Sequence, residues 1–94
     1  MFSVLIADDE WIEREGISML LGESGYEFQI YMAENGEEAL KCLEKHSIDI
    51  VFTDVKMPFM DGLTFLKELR KENDKIKVAV FSAFADFEYA QKAM

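Results

Sequence analysis

Apolar and polar positions along the chain follow two rhythms, one suited to buried strands and one to helices. Phe2-Ser3-Val4-Leu5-Ile6-Ala7 is a near-continuous apolar run closed by Asp8-Asp9-Glu10, the pattern of a strand covered on both faces. From Trp11 to about Leu21 a helix is expected, with Ile12, Ile17, Leu20 and Leu21 read as its stripe and Gly22 and Gly25 as its end. Residues 27–33 alternate instead: Phe28, Ile30 and Met32 point one way, Glu27, Gln29 and Tyr31 the other. That alternation suits a strand with one face or edge near water. Asn35-Gly36-Glu37-Glu38 opens a second helix, with Asn35 as cap, Glu38 at the capping-box position and Ala39, Leu40 and Leu43 as the buried face. Residues 48–53 form a further apolar strand ended by Asp54. Lys56-Met57-Pro58 makes a stiff connection, and Asp61-Gly62 starts a third helix with Leu63, Leu66 and Leu69 at helical spacing. Residues 76–81 read as the fourth strand, and Ser82-Ala83-Phe84-Ala85 links it to Asp86, the expected cap of a helix from Phe87 that the chain's end cuts short.

Strands alternating with amphipathic helices predict an α/β fold, a doubly wound parallel sheet with helices on both faces. The alternating second strand belongs at an edge. The 94 residues allow one domain, and no repeat or linker divides them. One Cys excludes an internal disulfide framework, and no export signal precedes the first strand, so the cytoplasm is the expected compartment. No apolar run is long enough for a membrane span. The net charge of −9 argues against direct nucleic-acid or anionic-membrane binding and leaves cations and basic partner surfaces open.

The acids matter most for where they fall. In an open parallel sheet, ligands bind outside the carboxyl ends of the strands, where the strand order reverses. Asp8 and Asp9 follow the first strand and Asp54 ends the third. If those strands are neighbours, three carboxylates converge at one mouth, raising one another's pKa unless a cation lies between them. Hard oxygen ligands suit Mg2+, which takes one or two carboxylates together with phosphate oxygens. An acid after a strand also serves as a solvated loop residue or a helix cap, and Glu10 is read that way. Repetition at two strand ends favours the pocket.

Asp8-Asp9, Asp54, Met57-Pro58, Asp61-Gly62 and Ser82-Ala83, in that order and spacing, resemble the receiver domain of two-component response regulators. The segment 82–94, with Phe87-Glu88-Tyr89-Ala90-Gln91-Lys92-Ala93, further resembles receivers joined to AraC-type helix-turn-helix output domains. The resemblance implies a flavodoxin-like fold and assigns roles. Asp54 would be the phosphoacceptor, not a turnover enzyme's nucleophile. Asp9 would bind Mg2+ directly, Asp8 would assist through water or hydrogen bonds, and the Lys56 carbonyl would complete the protein ligands. Ser82 would be the switch hydroxyl, with the Ala83 backbone amide beside it. The donor would be a sensor histidine kinase, and the responder a DNA-binding output domain in a longer protein.

The family also carries a Lys at the end of a fifth strand, and the sequence stops before that strand would begin. Residues 1–94 therefore read as a receiver lacking its last strand and helix. An exposed fourth-strand edge would then invite a homodimer or strand exchange. Two other readings stand beside this one: a receiver-like interaction module that is never phosphorylated, and an Asp-nucleophile phosphohydrolase. The latter usually wants a second Asp two residues after the nucleophile, where this chain has Lys56. Met19, Met32 and Met57 are read as gap fillers, Cys42 as a small hydrophobe and His46 as a cation near a helix C-terminus.

Overall fold

The computed structural model describes residues 1–81. Its elements run β1 (Phe2–Ala7), α1 (Trp11–Gly22), β2 (Phe28–Ala33), α2 (Gly36–Lys45), β3 (Ile50–Asp54), α3 (Gly62–Glu72) and β4 (Lys77–Phe81). Ser82, Ala83 and the helix expected from Phe87 lie outside the described residues. Several boundaries differ from the sequence reading by one or two residues: β2 begins at Phe28 and β4 at Lys77, one residue later than expected. β3 begins at Ile50 rather than residue 48 and includes Asp54, because Asp54 pairs in register with Phe81. α1 continues through Gly22.

All strand pairs are parallel, and the order is β2-β1-β3-β4. The alternating strand β2 is at an edge, as its pattern requires; β4 borders the other side among the described residues. The chain leaves β1 in one direction to form β2, then crosses back over β1 to β3 and on to β4. Right-handed crossovers therefore put α1 on one face and α2 with α3 on the other. The core agrees. Leu5, Ala7, Ala33 and Val51 pack with Ala39 of α2 and Phe65 and Leu69 of α3, and no α1 residue joins them.

α2 is built as its sequence suggests, with one variation. The Asn35 side chain accepts from the Glu38 N–H at 2.9 Å, while Glu38 reaches back to the Glu34 N–H at 3.1 Å, one residue before the cap. In α3 the Asp61 carboxylate accepts from the Thr64 N–H at 2.8 Å. The most buried side chain of α3 is Phe65, which the leucine spacing overlooked; Leu66 is half-buried and lines a groove of about 720 Å3 between α3 and β4.

α1 corrects the sequence reading. Ile12 and Leu20 are 65% and 69% exposed, and Met19 is as open as Ile12. The inward positions are Arg14, Ile17, Ser18 and Leu21, a stripe at i, i+3, i+4 and i+7. Apolar residues occupy both sides of this helix, so periodicity alone could not choose between them. Arg14 settles the orientation: its guanidinium donates to the Asp8 carbonyl at 2.7 Å and pairs with Glu34 at 4.0 Å. Among the described residues no helix is long and apolar enough to cross a membrane.

Phe65 fills the space between α3 and the sheet with no exposed surface. Phe65→Ala should lower unfolding free energy by about 3–5 kcal/mol in urea titration. Leu66→Ala, at the groove, should cost less than half as much. Equal losses would contradict the placement of the core.

Candidate functional site

The switch point of this strand order lies between the carboxyl ends of β1 and β3. Residues in register there are Ala7 and Thr53, so the next residue of each strand, Asp8 and Asp54, emerges at the same mouth. Asp8 is fully buried, held by its own N–H on the Ala33 carbonyl at 3.0 Å. Its Oδ1 accepts from the Glu10 N–H at 2.9 Å. Its Oδ2 is buried with no hydrogen-bond partner among the described residues. Asp54 is half-buried, and its Oδ1 accepts from the Val55 N–H at 2.7 Å.

A third carboxylate completes this group, and it is not the one expected. Ligand oxygens of Asp8, Asp54 and Glu13 all lie within 4.8 Å of one another. Asp9 is exposed and outside that set, although its charge is felt at both Asp8 and Asp54. Glu10 occupies the N-cap position of α1 without a side-chain capping bond. Glu13 was missed because it follows Asp9 by four residues, within a helix. The available signal was its place in the first turn of α1, over the end of β1.

Two unit charges at this spacing repel by on the order of 3 kcal/mol at an effective dielectric constant near 20. Burial, the neighbouring Glu13 carboxylate and the Asp9 charge push the Asp8 pKa up to about 7 against the pull of the Glu10 N–H. Burial also raises Asp54, with Asp8 and Asp9 adding to it, while the backbone N–H groups of Val55 and Lys56 oppose the rise. A divalent cation would satisfy the unpartnered Asp8 Oδ2. An all-oxygen donor set with a buried, unpartnered carboxylate oxygen fits Mg2+.

The backbone around Asp54 is clamped. Thr53 Oγ1 donates to the Asp54 carbonyl at 3.0 Å, and the Gly62 N–H donates to the Val55 carbonyl at 2.8 Å. A Cβ on Gly62 would collide with the Asp54 carbonyl oxygen, so no larger residue fits. Met60 is held in turn by Gly36, whose N–H donates to its carbonyl at 3.0 Å. Lys56 is exposed in the connection after β3. Ser82 and Ala83 lie outside the described residues, so their expected places beside Asp54 rest on resemblance.

Comparison with known proteins agrees with this geometry. The profile of the response regulator receiver domain matches residues 4–94, and the chain belongs to that family. It is 38% identical over 90 residues to the transcriptional regulatory protein HptR of Staphylococcus aureus, covering 95% of this chain and 35% of that protein. The chain thus spans about a third of that relative's length. Among solved structures it resembles the receiver domain of AraT, a response regulator from Geobacillus stearothermophilus. The TM-score is 0.83 and the identity 44%, over 98% of this chain and 72% of that one. It also resembles the response regulator TrrA from Thermotoga maritima in complex with Mg2+ and BeF, with TM-score 0.86 and 35% identity over 99% of this chain and 81% of that one.

Two measurements test the site. The folded protein holds the Asp8 proton more tightly than the unfolded chain, where the group titrates near 3.8. The stability this gives is complete below about pH 4 and is lost as pH rises through about 7. Without metal, Tm should fall by roughly 5 °C or more between about pH 5 and pH 7.5, and Asp8→Asn should flatten the fall. A parent profile as flat as that of the variant would contradict the buried acid. Separately, Gly62→Ala should cost about 1–3 kcal/mol by forcing the Asp54 carbonyl aside; an unchanged denaturation midpoint would show that the contact is loose.

Proposed function

We propose that the chain is the phospho-accepting switch of a transcriptional response regulator. It takes a phosphoryl group from a sensor histidine kinase onto Asp54, with Mg2+, and so controls a DNA-binding output domain in a longer protein. The observation that carries this reading is the pairing at the switch point of a half-buried Asp54 with a fully buried Asp8 whose Oδ2 has no partner among the described residues. Such a mouth is under electrostatic tension until positive charge enters it.

In the reaction, a carboxylate oxygen of Asp54 attacks phosphorus as the P–N bond to the kinase imidazole breaks. The electron pair stays on the imidazole nitrogen, which is reprotonated, and Asp54 becomes an acyl phosphate. Mg2+ would neutralise charge on the phosphoryl oxygens, held by Asp8, Asp9, Asp54 and the Lys56 carbonyl. The chain's own contribution is positioning. The Val55 N–H orients one carboxylate oxygen, and Thr53 and Gly62 hold the backbone behind it. By family resemblance, the Ser82 hydroxyl and the Ala83 amide would meet the new phosphoryl oxygens. One group is accepted per cycle and no substrate is turned over.

Incubated with Mg2+ and acetyl phosphate, the protein should gain one phosphoryl group by mass spectrometry, and Asp54→Asn should gain none. Asp9→Asn should slow the gain at least about tenfold, as expected for loss of a charge-neutralising ligand. An equal adduct on Asp54→Asn would sink the assignment of the acceptor.

A further inference from the structure

Glu13 belongs to none of the positions that the receiver resemblance assigns, yet its carboxylate is within 4.8 Å of ligand oxygens of both Asp8 and Asp54. An acid in the first turn of a helix is favourable for the helix dipole alone, so its presence there needs no cation. The dipole does not account for what stands opposite. Asp8, a member of the same cluster, is wholly buried, and its Oδ2 has no hydrogen-bond partner among the described residues. No basic side chain answers Glu13 either: among the described residues it forms no ion pair, and its neighbour Arg14 is committed to the Asp8 carbonyl and to Glu34. A carboxylate aimed at two others, one of them orphaned and buried, is placed for a shared cation.

We propose that Glu13 is a further carboxylate of the divalent-cation site, supplied by α1 and additional to Asp8, Asp9 and Asp54. This rests on the cation-binding reading above. The number of charged ligands tunes the affinity of such oxygen sites. Glu13 therefore raises the affinity of the unphosphorylated pocket for Mg2+, and in the metal-free protein its charge adds to the repulsion among the carboxylates.

Calorimetric titration of MgCl2 into the parent chain, Glu13→Gln and Glu15→Gln tests this. Glu15, exposed on the same helix as Glu13 is, lies outside the cluster and carries the same charge. Glu13→Gln should weaken Mg2+ binding about tenfold, while Glu15→Gln stays within about twofold of the parent. The metal-free Glu13→Gln protein should also melt above the parent, because a repelling charge has gone. Equal affinity in the parent and Glu13→Gln, or equal losses in the two variants, would overturn the role of Glu13 and leave the pocket intact. A Glu13→Gln protein that melts below the parent without metal would mark a structural role and overturn it too. Absence of Mg2+ binding by the parent would overturn the underlying cation reading as well.

Discussion

The order β2-β1-β3-β4 forces carboxylates together at the one place where neighbouring strands send their connections to opposite faces. Chain direction and crossover handedness, not any local preference of the acids, bring Asp8 and Asp54 to a common mouth. Everything else in the pocket responds to that constraint. Burial deepens the repulsion, the first turn of α1 adds Glu13, and the backbone amides of Glu10 and Val55 relieve only part of the charge. The strands beneath must be apolar enough to hold this arrangement. Val4, Leu5, Ile6, Ala7 and Val51 are fully buried directly under it.

The fold was readable because strand and helix periods differ and each strand's burial leaves its own signature. The continuous runs of β1 and β3 became the central strands, and the alternating β2 became an edge. Reading failed where two solutions shared one pattern. α1 carries apolar residues on both sides, and its inward face was chosen by Arg14 reaching the Asp8 carbonyl, a tertiary contact that periodicity cannot register. Phe65 was overlooked for a related reason: Leu63, Leu66 and Leu69 looked sufficient, but the sheet needed an aromatic volume one position before Leu66.

The candidate site was legible in its strand-borne half. Asp8 and Asp54 announce themselves by following apolar runs, since a strand end fixes where the next residue emerges. Glu13 does not, because a helical residue's aim depends on how the helix is rotated over the sheet. The same Arg14 contact that defeated the stripe reading determines that rotation. One unrecognised anchor therefore accounts for both omissions.

The connection from β3 to α3 shows where the pocket is rigid and where it is not. The Met60 N–H donates to the Pro58 carbonyl at 2.7 Å, closing a three-residue turn around Phe59, which is exposed and has φ 68°. A bulky residue in that region is strained by on the order of 1–3 kcal/mol and persists only where its surroundings over-determine it. Here the surroundings are two glycines: Gly36 abuts Met60 at 2.7 Å from an added Cβ, and Gly62 abuts the Asp54 carbonyl. Both ends of the turn are thus closely packed beside the crowded carboxylates. The remaining freedom is ionic, a proton or a cation entering between Asp8, Glu13 and Asp54. A site built this way answers charge with charge: a proton or a cation entering it relieves the repulsion that the strand order imposes.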